Sequence, residues 1–191
     1  MRLAGALLYV GLCGALIARA AGAPDAQAGR EKSASERCQE CHGEQGQGTD
    51  AGAHPPRLAG QDLAYLIKQL RDFKSGARKN DLMTIMARSV DDADLADIAA
   101  HFSAQPRVAG DGGGQGGAAL YAASCAACHG AGGAVPLAGA PRLQGQNPQY
   151  LARQLRNFRN GQRANGGAME QVSAGLSDDQ ITALSAYLAG S

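Results

Sequence analysis

The 191-residue sequence predicts an all-α protein of two tandem domains, and three observations carry that expectation. One segment recurs in each half at a constant offset. The apolar residues inside each copy recur at helical spacing, and no stretch alternates apolar and polar residues as a half-buried strand does. Length alone admits one medium domain or two small ones, at roughly 100 to 200 residues per domain, so the repetition decides.

At the N-terminus, Arg2, an apolar run from Leu3 to Ala18 and the small residues Ala20-Ala21-Gly22-Ala23 read as a secretory signal peptide, residues 1–23. Cleavage is expected between Ala20 and Ala26, with Pro24 disfavouring a cut directly after Ala23. The run is shorter than the roughly 20 apolar residues a membrane span needs, and no other stretch is apolar enough, so membrane association is expected to be at most peripheral. Cys13 follows the bulky Leu12 inside the run and is expected to leave with the signal. Loss of Arg2 and Arg19 leaves 16 basic against 17 acidic side chains, a net charge of −1. No basic patch predicts a nucleic-acid partner.

The repeat is "PRLAGQDLAYLIKQLRDFKSGARKN" (56–80) against "PRLQGQNPQYLARQLRNFRNGQRAN" (141–165). Gly60/Gly145, Gln61/Gln146, Tyr65/Tyr150, Leu66/Leu151, Gln69/Gln154, Arg71/Arg156 and Phe73/Phe158 match at an offset of 85. The glycine-rich stretch "QPRVAGDGGGQGG" between the copies is too poor in apolar residues to pack and reads as a flexible linker. The expected organisation is a first domain at 24–104, a linker at 105–115 and a second domain at 116–191.

Leu63, Leu66, Ile67, Leu70 and Phe73 lie on one helical face. Asp62 and Asn147 suit the N-cap of this helix in each half, Pro148 its first turn, and Gly76 and Gly161 its stop. The closing helices start at Asp91 and at Ser177, the latter with Gln180 as a capping box. Leu95, Ile98 and Phe102 then match Ile181, Leu184 and Leu188 as a buried stripe. With four Tyr or Phe per half at most and no Trp, domains of about 80 residues have little core of their own and need a staple.

Cys38-x-x-Cys41-His42 and Cys125-x-x-Cys128-His129 repeat 87 residues apart. A zinc ribbon would bring its two pairs closer together and would leave both histidines superfluous. A thioredoxin-like site lacks its βαβ context, and two short-loop disulfides, natural in an oxidising compartment, leave the histidines unexplained. Covalent attachment of haem c accounts for all three residues: the thiols Cys38, Cys41, Cys125 and Cys128 add to the porphyrin vinyl groups, while His42 and His129 reach the iron. Two haems would also supply the interior that each half lacks.

The sixth iron ligand is sought among Met83, Met86, Met169, His54 and His101. Aligning the closing helices gives an offset of 86, which pairs Met83 with Met169 and Met86 with Val172. Met83 and Met169 each lie seven residues before the apolar residue preceding the helix cap, and are therefore expected as the ligands. His54 and His101 are expected to be structural or surface residues, and Arg57, Arg71, Arg142 and Arg156 solvated surface charges for the most part.

These residues, together with the paired "PRL-x-GQ…YL…QL…F" segments, resemble the dihaem cytochromes c4, periplasmic electron carriers built of two class I cytochrome c domains; the resemblance covers almost the whole mature chain. It implies that the backbone carbonyls of Pro56 and Pro141 accept a hydrogen bond from the ligating histidines. It also implies an aromatic contact between first and last helices, which Tyr121 and Tyr187 match. Ala34 and His101 stand there in the first half, which predicts a looser helix pair. The implied function is one-electron transfer from a quinol-oxidising respiratory complex to a terminal oxidase or other acceptor. The alternatives are a dihaem electron-accepting subunit of a periplasmic dehydrogenase and a dihaem peroxidase. Histidine and methionine together fill both axial positions, which favours an electron carrier over an enzyme.

Overall fold

A computed structural model describes residues 22–49, 52–110, 114–134 and 137–190. The expected signal peptide lies outside the described residues except at its last two positions. Among the described residues there are ten α-helices and no strand. The first half comprises α1 (Ala26–Ser35), α2 (Cys38–His42), α3 (Leu63–Ser75), α4 (Asp81–Arg88) and α5 (Asp92–Ser103). The second opens with a 3-10 turn at Gln115–Gly117 and repeats the order as α6 (Ala118–Ser124), α7 (Ala126–His129), α8 (Pro148–Arg159), α9 (Met169–Ala174) and α10 (Asp178–Gly190).

The helix ends follow their local chemistry. Asp62 accepts from the Tyr65 amide at 2.8 Å and Asn147 from the Tyr150 amide at 2.9 Å, each satisfying an amide that the first helical turn leaves unpaired. Ser177 and Gln180 form the reciprocal capping box, at 3.2 and 2.9 Å. Gly76 closes α3 in the left-handed region, at φ 85°. Asp91 occupies the N-cap position of α5, but its side chain makes no capping bond; Asp92 and Asp94 in the first turn complement the positive end of the helix dipole instead.

In each half the closing helix forms the floor of a small apolar cluster. Leu95, Ile98, Ala99 and Phe102 of α5 meet Leu66 and Val90, with Leu63, Ile67, Leu70 and Cys38 partly buried against them. Leu184 and Leu188 of α10 meet Tyr121 and Leu151, with Leu143, Leu155 and Cys125 alongside.

In both halves the opening segment crosses the last helix at a glycine, within α1 in the first half and at the end of the 3-10 turn before α6 in the second. A Cβ on Gly29 would stand 1.8 Å from the Asp97 carbonyl oxygen, and one on Gly117 2.4 Å from that of Ala183. The first-half pair is therefore not looser, contrary to the sequence expectation, because the crossing distance is set by the glycine and not by aromatic rings. The Tyr121 and Tyr187 rings do pair, with centroids 5.4 Å apart. In the first half His101 is buried on α5 and its Nε2 donates to the Glu44 carbonyl at 3.0 Å, a structural role.

The start of the linker is not free. A Cβ on Gly145 would lie 2.3 Å from the Val108 carbonyl oxygen, and one on Gly60 2.4 Å from Arg107 Cγ, so residues 107–108 rest against both halves. Both glycines have positive φ, 63° and 67°, so their lack of a Cβ serves the turn and the close approach together.

The two halves face each other through the repeated segment. Arg78 donates to Gln69 of its own half at 2.8 Å and to Gln154 and Tyr150 of the other at 2.9 and 3.0 Å. Arg163 mirrors it, donating to Gln154 at 2.8 Å, Gln69 at 3.0 Å and Tyr65 at 3.3 Å. Each guanidinium also covers a phenylalanine of its own half, Phe73 at 4.5 Å and Phe158 at 4.4 Å. Repeat partners thus exchange contacts as an approximate two-fold would have them do.

Candidate functional site

Cys38 and Cys41 stand at i and i+3 on the single helical turn α2, which places both sulfurs on one side of it, and His42 follows at i+4 from Cys38. Arg37 enters the turn in the left-handed region, at φ 60° and ψ 20°, and its guanidinium holds Glu40 at 2.7 and 2.9 Å. In the second half Cys125 precedes α7 and caps it from outside, while Cys128 and His129 complete the turn. A glycine of positive φ follows each histidine, Gly43 at 80° and Gly130 at 75°, and turns the chain away at once. None of the four cysteines is in a disulfide.

Burial raises the Cys38 thiol to about 11, with the Glu36 carboxylate adding to the shift, and burial likewise raises that of Cys125. Among the described residues no cluster of three or more His, Cys, Asp or Glu is arranged to hold a metal ion.

Both histidines are buried, His42 at 7% and His129 at 5% exposure. The Nδ1 of His42 lies 2.9 Å from the Pro56 carbonyl oxygen, and that of His129 2.9 Å from the Pro141 carbonyl oxygen. A carbonyl only accepts, so the proton sits on Nδ1 in each ring and the Nε2 lone pair is left for a metal. Burial lowers the pKa of both rings, outweighing the carbonyl contacts that raise it, so the neutral form is favoured. The proline contacts implied by the family resemblance are present in both halves.

Met83 lies in the first turn of α4, where its amide donates to the Asn80 side chain at 3.0 Å; Met86 follows one turn later. Met169 opens α9, and the segment just before it packs on α8 at Gly166, where a Cβ would stand 2.4 Å from the Phe158 ring and 3.0 Å from Met169 Cβ. Both Met83 and Met169 are half-buried. On α9, Ser173 is fully buried at i+4 from Met169, and its hydroxyl has no hydrogen-bond partner in the polypeptide. The histidine tautomer set for iron, repeated in both halves beside a free cysteine pair, fits a covalently attached haem in each half, and the orphan hydroxyl on the methionine face is confined to the second.

His54 is exposed and takes no part, its carbonyl accepting from Arg153 at 3.1 Å. Arg71 is exposed and Arg156 pairs with Asp178 at 3.2 Å, but Arg57 and Arg142 are not solvated charges. Arg57 donates to the Gly145 carbonyl across the interface at 2.5 Å, and Arg142 donates to the Ala134 carbonyl. Of the interfacial residues, Gln61 and Gln146 stood out in the sequence only as a matched repeat pair and Arg78 and Arg163 not at all; their recurrence at the same offset of 85 was the signal.

Two family models match the chain, "Cytochrome c" over residues 26–104 and "Cytochrome C oxidase, cbb3-type, subunit III" over residues 113–188. The chain is 39% identical over 201 residues to cytochrome c4 of Pseudomonas aeruginosa, covering 96% of this chain and 95% of the relative. It is 37% identical over 168 residues to a thiosulfate dehydrogenase electron acceptor of Stutzerimonas stutzeri, covering 80% and 77%. The crystal structure of reduced recombinant cytochrome c4 from Pseudomonas stutzeri superposes with a TM-score of 0.77 at 39% identity, covering 88% of this chain and 99% of that one.

Proposed function

The chain belongs to the cytochrome c4 family of dihaem electron carriers, and from that premise we propose that it passes single electrons through two haem groups in the periplasm. Cys38 and Cys41 would hold one haem c and Cys125 and Cys128 the other, with His42 and Met83 in the first half and His129 and Met169 in the second as the residues that would ligate the iron. The observation that carries this reading is the contact of each motif histidine with a proline carbonyl, which prepares Nε2 of both rings for iron in the same way. When bound, haem would supply a one-electron couple, whose potential a methionine ligand beside histidine would raise. The polypeptide fixes each imidazole by one carbonyl, anchors each methionine on a short helix and leaves little to rearrange when charge changes. Residues 105–115 are taken as the link between the two domains.

A quinol-oxidising complex is the proposed donor and a terminal oxidase the proposed acceptor. No helix of the described residues is long and apolar enough to cross a membrane, which is compatible with a diffusing carrier. The likeness to a thiosulfate dehydrogenase electron acceptor supports a second reading, a subunit that takes electrons directly from a dehydrogenase. Mass spectrometry of the exported protein tests the core claim: it should read the chain from near residue 24 plus two haems, and the bare chain mass would defeat it. Affinity purification from the native host separates the two partner readings, since only the second yields a stable stoichiometric dehydrogenase complex.

A further inference from the structure

The peptide group that receives each motif histidine is itself held by the opposite half. The Pro56 carbonyl accepts from His42, and the N–H of the same peptide, on Arg57, donates to Oε1 of Gln146 at 2.8 Å. Gln146 Nε2 returns a bond to the Arg57 carbonyl, also at 2.8 Å. Its counterpart does the same in reverse: His129 meets the Pro141 carbonyl, Arg142 N–H donates to Gln61 Oε1 at 2.9 Å, and Gln61 Nε2 donates to the Arg142 carbonyl at 2.9 Å. Both glutamines are 7% exposed, and each Oε1 also accepts the following amide of its own chain, Asp62 or Asn147, so its orientation is fixed.

An amide whose N–H is donated becomes a better acceptor at its oxygen, because hydrogen bonds in series polarise one another, the more so away from water. A stronger carbonyl acceptor draws the Nδ1 proton, makes the imidazole more basic and stabilises the oxidised metal. We propose that Gln146 and Gln61 are positioning residues that tune the haem of the opposite half, each lowering that haem's potential through the peptide shared with its axial histidine. The two redox centres are then linked by a crossed pair of hydrogen-bond chains, His42–Pro56–Arg57–Gln146 and His129–Pro141–Arg142–Gln61. The inference rests on His42 and His129 as iron ligands.

The test is a redox titration of the intact dihaem protein followed by NMR, in which the haem methyl signals of each half are read separately. Gln146→Leu should raise the potential of the Cys38/Cys41 haem by at least a threefold change in its oxidised-to-reduced ratio, about 28 mV at about 59 mV per tenfold for one electron. The Cys125/Cys128 haem should stay in place, and Gln61→Leu should give the converse. Gln146→Glu keeps an acceptor for the Arg57 amide and should leave the first haem at or below its wild-type potential, which a packing role would not do. In the reduced protein the His42 Nδ1 proton should move upfield in Gln146→Leu while that of His129 does not. A shift in the variant's own half, an equal shift of both haems, or none overturns the proposal. Absence of iron-bound histidine resonances in the wild type would instead defeat the ligand assignment on which it rests.

Discussion

Arg78 donates a 3.0 Å hydrogen bond to the phenol of Tyr150, 72 residues away in the opposite half of the chain. The guanidinium is buried and its partners there are neutral: the Tyr150 phenol, and the Gln154 amide oxygen that it shares with Arg163. Replacing Arg78 by Leu should destabilise the protein by about 1.5–3 kcal/mol, the range for hydrogen bonds to a charged group. Urea unfolding measures this. The loss should be non-additive with Arg163→Leu, because the two arginines share Gln69 and Gln154.

The same pair sets a phenol titration. Burial alone would raise the Tyr150 pKa, but Arg78 and Arg163 more than offset it and hold it below the usual tyrosine value. Arg78→Leu should move the Tyr150 transition to higher pH in an ultraviolet titration, and an unchanged transition would remove the arginine from that role.

Gly29 sits where no side chain fits, 1.8 Å from a backbone oxygen once a Cβ is added. Gly29→Ala should cost about 1–3 kcal/mol through forced separation of α1 and α5. Gly175→Ala, where a Cβ meets nothing within 4 Å, is the matched control and should be close to neutral in thermal unfolding.

Met83→Ala and Met169→Ala should each remove about half of the long-wavelength methionine-to-iron band of the oxidised protein, there being one such bond per haem. Met86→Ala should leave the band whole. Retention of full intensity in Met83→Ala with loss in Met86→Ala would transfer the ligand role by one turn of α4.

Tyr121 donates to the Gly130 carbonyl at 2.7 Å, and burial pushes its phenol up to about 12. Between an unfolded value of about 10 and that folded value, the native chain keeps a proton that the unfolded chain releases. Stability therefore declines as pH rises through this window. Tyr121→Phe should lower stability at neutral pH by about 1 kcal/mol and flatten the alkaline decline, as read from unfolding midpoints at a series of pH values.

Much of this molecule was legible in its residues taken locally. The Cys-x-x-Cys-His runs, the spacing of Leu66, Leu95 and Ile98 and the caps at Asp62 and Ser177 are short-range patterns. Their chemistry acts within a few positions, so one reading of the chain recovers the helices and the haem-binding turns. Even there the aromatic pair misled, since Gly29, an inconspicuous residue, decides how closely α1 meets α5.

What tertiary structure alone decided is how the duplicate segments meet. Periodicity marks a buried face without saying which partner buries it, and a glycine-rich connection imposes no angle between the domains. Gln61, Arg78, Gln146 and Arg163 satisfy their hydrogen bonds only when both halves are present. Their recurrence 85 residues apart becomes a two-fold exchange, and a link between the histidines, only once the two copies are placed face to face.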